Sequence, residues 1–271
     1  MKQGRTGRGG LPRKLSAILL SAAMLVAGLA FAADNSIYID QTGDNATIAV
    51  TQDGTSNVVR GTQGVGSGNT TPAKIYGDGN QVSVSQVGSS NTLNLGIVRG
   101  TGTGTTGNTV NYSVNGGGAL ADINLNNAGQ GTASGNAVDI KQSGNNASAR
   151  LNIVGDGNTV GVTTGGGSNN SYLGTITGNT NTQAVSMTGG GGNGSTITQS
   201  GDGNSASVTT VGGSNSVTIG QSDGGHTTSI TANGSSNTFN VTQQGTAASN
   251  VFNYTSSSGN SNSVTINQNA R

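Results

Sequence analysis

The chain has 271 residues, including 49 Gly, no Cys, no Trp and one His, and a formal net charge of +1. Without Cys there is no disulfide framework, thiolate ligand or Cys nucleophile. With only 8% charged residues and abundant Gly, Asn, Ser and Thr, the chain reads as a low-complexity polymer unless a period organises it.

The first segment stands apart. It carries Lys2, Arg5, Arg8, Arg13 and Lys14, then an apolar run from Ala17 to Phe31 that closes on Ala30-Phe31-Ala32. This is the layout of a secretory signal peptide cut after Ala32, with Ala30 and Ala32 as the small residues of the cleavage site. The run is about 15 residues, shorter than the roughly 20 that span a bilayer. The expected division is therefore 1–32 as signal and 33–271 as one mature domain. The mature part holds six basic residues and ten Asp, a net charge of −4. It has no electrostatic reason to bind nucleic acid or anionic lipid, and no stable membrane insertion is expected once the signal is removed.

From Asn35 onward a short unit recurs: Asn-x-φ-x-φ-x-Gln-x-Gly, where φ is apolar. Asn80 is followed by Val82, Val84 and Gln86, Asn215 by Val217, Ile219 and Gln221, and Asn262 by Val264, Ile266 and Gln268. Strict alternation is the strand signature, and Asn, both apolar residues and Gln share one face. The Gly that follows suits a turn. The inward polar slots are expected at Asn35, Asn80, Asn91, Asn136, Asn158, Asn193, Asn204, Asn215, Asn237 and Asn262. Their Gln counterparts are Gln41, Gln52, Gln63, Gln86, Gln142, Gln199, Gln221, Gln243 and Gln268. Stacked on successive turns, such amides can pair with their own copies, as in cross-β assemblies.

Some units are degenerate. Asn45 stands one residue too far from Gln52, Ala121 replaces Asn ahead of Ile123 and Leu125, and Asn169 to Thr177 fits two registers. The spacing widens between Asn91 and Asn136, where Gly100 to Gly107 reads as a longer turn.

A unit this short cannot bury its own apolar face, so neighbours must stack. The expected fold is all-β: a β-solenoid of about ten turns, two short strands and roughly 22 residues per turn, forming a rod near 50 Å long. Gln199, Gln221 and Gln243 recur with Thr210 and Ala232 between them, so one strand of each turn is expected to be richer in Gln. The charges respect the same register. Asp40, Arg60, Lys74, Asp122, Asp139, Lys141 and Arg150 fall on outward positions, and Asp44, Asp53, Asp78, Arg99, Asp156, Asp202 and Asp223 in turns. Burying an unpaired ion costs several kcal/mol, which explains the sorting.

No catalytic or metal constellation emerges, and no cofactor is expected. His226 occupies an Asn slot without a second His, a Cys or a Glu as partner. Gly77-Asp78-Gly79-Asn80, repeated at 155–158 and 201–204, could offer Ca²⁺ oxygen ligands, but Asp and Gly are ordinary turn residues. The Gly189–Gly192 cluster has no following Lys-Ser/Thr to make a phosphate loop. Tyr112, Phe239, Phe252 and Tyr254 are inward by parity and read as core.

Asn80-Gln-Val-Ser-Val-Ser-Gln86-Val-Gly88-Ser-Ser-Asn91, Asn193 through Gln199, Gly201 and Asn204, and Asn237 through Gln243 and Gly245 resemble the curlin repeat of bacterial curli subunits. The resemblance implies an exported structural protein, not an enzyme. Such subunits self-associate outside the cell into amyloid-like fibres for biofilm matrix and surface adhesion, with other curli-like subunits or outer-membrane secretion components as partners. The chain departs from the family in having only Ala33 and Asp34 between the expected cleavage site and the first unit, and about twice the usual half-repeats. No capping helix or Pro is expected at either end of the repeat, so head-to-tail stacking is expected. The competing reading is a monomeric solenoid that binds a glycan, ice or a surface through Ca²⁺.

Overall fold

The computed structural model describes residues 34–62, 71–98, 107–125, 134–246, 249–256 and 258–270. The expected signal peptide with Ala30 and Ala32, Gln63, Arg99 and most of the Gly100–Gly107 turn lie outside the described residues.

The described residues form strands and turns only. In chain order the first strands are β1 (Ser36–Ile37), β2 (Ile39–Thr42), β3 (Thr47–Asp53), β4 (Val58–Arg60), β5 (Ala73–Tyr76), β6 (Gln81–Val87) and β7 (Thr92–Val98). The middle of the chain supplies β8 (Thr109–Asn115), β9 (Leu120–Leu125), β10 (Ala137–Ser143), β11 (Ser148–Val154), β12 (Thr159–Thr164), β13 (Ser171–Thr177) and β14 (Thr182–Gly189). The last are β15 (Gly194–Ser200), β16 (Ser205–Gly212), β17 (Ser216–Gln221), β18 (Thr227–Asn233), β19 (Thr238–Gln244), β20 (Val251–Ser256) and β21 (Ser263–Asn269).

They make two parallel sheets, a long one of 12 strands and a short one of 9. The chain alternates between them, one strand in each per turn, which is the β-solenoid expected from the period. In the long sheet β1 and β2 share one level, and β4 and β5 share the next, because β4 and β5 both pair with β7. The long sheet therefore has ten levels against nine in the short sheet, and the stack is about 45 Å tall at roughly 4.8 Å per level.

The inward residues of each level meet their counterparts one level on. Val217 lies opposite Phe239, Ile219 opposite Val241 and Gln221 opposite Gln243. The core is one continuous column of such residues, from Val59 to Val241. Burying each side chain contributes about 1.5–3 kcal/mol. Among the described residues no Asp, Lys or Arg is buried.

The turns explain the fixed Gly. Gly88 has φ +108, and a Cβ there would overlap the carbonyl oxygen of Gly116 one level away. The residue directly before most Asn slots is left-handed, whether Gly, as at Gly157 (φ 66), or not, as at Ser90 (φ 61), Ser214 (φ 58) and Ser236 (φ 61).

This turn rule corrects three sequence expectations. Asn45 (φ 58) is the left-handed turn residue, and Ala46 holds the slot, its neighbour Thr47 donating to Asn80 O. Ala119, not Ala121, stands in for Asn, because Gly116 and Gly118 set the turn before it and Ala121 then lies opposite Leu93 in the core. Asn169 (φ 62) is again a turn residue, and Asn170 occupies the slot. Among the described residues β4 ends at Arg60 and β5 begins at Ala73, and Ile75 lies opposite Gln41 in the slot expected for Gln63.

Candidate functional site: amide ladders and end levels

The Asn slots form two columns along the interior. In the short sheet the column runs Asn80, Asn108, Asn136, Asn158, Asn181, Asn204, His226 and Asn250 without a break. In the long sheet Asn35, Asn57 and Asn91 lead to Ala119, and a second run joins Asn170, Asn193, Asn215, Asn237 and Asn262. One geometry repeats. Asn215 accepts on Oδ1 from both the backbone N–H (3.1 Å) and the Nδ2 (2.9 Å) of Asn237. The Asn215 Nδ2 donates to Asn193 Oδ1 (3.0 Å) on the level before and to Gly234 O (2.9 Å) in the turn of the level after. The whole buried amide is thus paired, avoiding the 1–3 kcal/mol, roughly, of an orphaned polar group.

The Gln slots are shared differently. Gln199 donates to Gln221, Gln221 to Gln243 and Gln243 to Gln268, at 2.9, 2.9 and 2.8 Å. Each also donates across the interior to the strand before it, as Gln221 does to Ser205 O (3.0 Å). Gln52 donates to Gln86 (2.8 Å) in the short sheet. Gln41 instead turns to Gly43 O, and Gln142 accepts from the Tyr112 hydroxyl (2.9 Å) and joins no other Gln. The Gln-rich strand therefore belongs to the long sheet only over 199–268; earlier, Gln52, Gln86 and Gln142 are in the short sheet. The two ladders point oppositely. In their amide-to-amide bonds Asn donates toward the N-terminal end and Gln toward the C-terminal end. Where the Gln run begins, Gln199 Oε1 has no donor, because Ile176 lies beneath it.

The sequence template missed Asn57, Asn108, Asn170, Asn181 and Asn250. Asn57 heads a strand interrupted after three residues, and Asn181 precedes Gln183 in an apolar slot with Met187 in the Gln slot. The signal that finds Asn57, Asn170 and Asn181 is the left-handed turn residue just before each, Ser56, Asn169 and Thr180.

His226 is fully buried. Its backbone N–H donates to Asn204 Oδ1, its Nδ1 accepts from Asn250 N–H (3.1 Å), and Nε2 contacts Ser222 O (2.7 Å). The ring thus carries its proton on Nε2 and fills an Asn's place in the ladder. The turn aspartates hold backbone too: Asp78, Asp156 and Asp202 each accept from a backbone N–H of the adjacent turn. Burial pushes the Tyr112 and Tyr172 hydroxyls well above the ordinary tyrosine value. On the outer face, partial burial raises the Asp122 carboxyl, opposed by neighbouring Arg150.

The ends differ from the middle. Ile37, Ile39, Ile48 and Val50 on the first turn, and Phe252, Tyr254, Val264 and Ile266 on the last, face inward yet are only partly buried. Among the described residues β1, β2, β3, β20 and β21 each have a neighbouring strand on one side only.

Residues 190–222, spanning β15, β16 and β17 with Asn193, Gln199, Asn204, Asn215 and Gln221 in their inward slots, match the curlin associated repeat. The chain carries a curlin associated repeat. Inward Asn and Gln slots of the same kind occur on both sides of that match, from Asn35 to Gln268. No curated protein and no solved structure matches the chain.

Proposed function

We propose that this protein is an exported, curli-like structural subunit that stacks head to tail into an amyloid-like fibre serving surface adhesion and biofilm matrix. In this reading residues 1–32 are a signal removed on export, and 33–271 form the solenoid domain. The Asn and Gln columns are its structural ladder. No reaction is assigned to it.

The observation that carries the proposal is the pair of end turns. Their apolar inward residues are half-covered, and among the described residues their strands offer a row of unpaired backbone groups. An open strand edge recruits another strand. A second copy supplies matching inward residues, since Asn-x-φ-x-φ-x-Gln begins at Asn35 and ends at Gln268. Repeat stacks gain stability from each neighbour interface.

The test is to express the full chain, purify the exported form and follow it by electron microscopy and amyloid-dye fluorescence. Unbranched fibres that bind the dye are expected. Monomeric rods persisting for days would sink the proposal and favour a monomeric binding solenoid.

A further inference from the structure

Curli-type stacking leaves open how one copy is turned relative to the next, and the count of levels bears on this. The described strands begin in the long sheet with β1 and β2 and end in the long sheet with β21. Ten long-sheet levels and nine short-sheet levels make nine and a half turns. The last turn is therefore open on the short-sheet side, above β20. The first turn is open on that same side, beneath β3.

If a second copy sat on β21 in the same orientation, β1 and β2 would cover β21, but the two open half-turns would face each other. Phe252 and Tyr254 of β20 would then lie across a missing level from Ile48 and Val50 of β3. A void of that kind forfeits both burial and backbone pairing.

We propose that successive copies are related by a half turn about the solenoid axis, so that long and short sheets exchange places at every junction. This rests on the end-to-end stacking proposed above. The half turn places β1 and β2 of the next copy on β20, and its β3 on β21. Winding then continues without a gap. Strands in the two sheets run in opposite directions, because the chain reverses at each turn, and the half turn reverses the incoming strands to match. Pairing stays parallel throughout.

The side chains permit the exchange because both sheets use the same unit. Val264 and Ile266 meet Ile48 and Val50, and Gln268 meets Gln52. Asn262 meets Ala46, whose backbone N–H can donate to Asn262 Oδ1. The protein already contains that contact, with Ala119 N donating to Asn91 Oδ1 at 3.0 Å. Asn35 of the next copy stands over Asn250.

The chain has no Cys, so introduced thiols report only the junction. By slot position, Asn267 lies opposite Thr51 of the next copy in the half-turn arrangement and opposite Asp40 in the unrotated one. All three are exposed. Adjacent parallel strands bring Cα atoms about 4.8 Å apart, within disulfide range. The doubly substituted chains Thr51→Cys/Asn267→Cys and Asp40→Cys/Asn267→Cys are assembled and then oxidised with copper-phenanthroline. A covalent multimer series on a non-reducing gel is expected for the first and a monomer band for the second. The reverse pattern, or fibres in which neither pair links, overturns the half turn while leaving stacking intact. Cryo-electron microscopy of the unsubstituted fibre gives a second reading: a 180° rotation per subunit supports the arrangement, and no rotation overturns it. If the unsubstituted chain forms no fibre, the stacking itself fails, and the half turn with it.

Discussion

The ring of Tyr172 occupies the space above the bare Cα of Gly174, and its hydroxyl donates to Gln183 Oε1 across the interior. Gly174 is on the inward face, opposite Leu151 and Ile197, where other levels carry an aliphatic side chain. A Cβ there would overlap the Tyr172 hydroxyl. The small residue and the large one are a compensating pair on a single strand.

Gly174→Ala should therefore cost about 1–3 kcal/mol by overpacking. Combining it with Tyr172→Leu should recover part of that loss, since the added methyl then has room. Denaturant midpoints of the two single variants and the double variant check this as a thermodynamic cycle. Strictly additive losses would show that the two residues are not coupled.

The Asn column sets a ranking at Asn215. Asn215→Ala removes the acceptor for Asn237 and the donor to Asn193 and Gly234, for a loss of about 1–3 kcal/mol. Asn215→Asp should be worse at neutral pH. It keeps the acceptor but aims a carboxylate oxygen at the Asn193 and Gly234 oxygens in a buried site, which costs several kcal/mol. Equilibrium unfolding gives the order, and an Asp variant as stable as the parent would contradict the ladder geometry.

At His226 the ladder needs an acceptor for Asn250 N–H and receives one from Nδ1. Asn supplies the same acceptor at every other polar level of that column. His226→Asn should leave stability within about 1 kcal/mol of the parent, and His226→Ala should lose about 1–3 kcal/mol. Hydrogen exchange at the Asn250 amide is the local readout: protected in the Asn variant, faster in the Ala variant.

Alkali should weaken the fold through Tyr112 and Tyr172. Both hydroxyls are raised by burial, so the unfolded chain releases protons near the ordinary value of about 10 while the folded chain retains them. The unfolded state then binds fewer protons, and stability falls as pH rises through and above that value. Unfolding midpoints should drop between about pH 9 and pH 11.5, and the Tyr112→Phe/Tyr172→Phe double variant should show a shallower slope. An unchanged slope would contradict the assignment.

Much of this architecture is legible in the sequence because alternation and charge placement act on every strand. Val82, Val84 and Gln86 declare their face by parity alone, and every described charge avoids it. What parity cannot give is the phase along the strand. Ala46 and Ala119 are small enough to pass for apolar core residues while filling an Asn slot. Asn169 and Asn170 are adjacent, and only the left-handed φ of the first decides between them. The slot expected for Gln63 is filled by Ile75, 12 positions later, and nothing local to Gln63 reports it. Likewise the opposed directions of the Asn and Gln amides follow from backbone partners on other levels, which a single repeat does not contain.

End-to-end growth through the half-covered end turns is most directly tested by seeded elongation with a blocked end. Ile266 is inward on β21 and partly buried, and Thr218 is outward on β17 in the middle of the stack. Ile266→Lys should place a charge in the junction, where burying it costs several kcal/mol. Thr218→Lys should add the same charge to solvent. Parent fibres supplied with each variant, checked first for an unchanged β circular-dichroism spectrum, should be extended freely by Thr218→Lys. With Ile266→Lys, growth should stop after at most one added layer. Extension by Ile266→Lys at the parental rate would contradict growth through these ends.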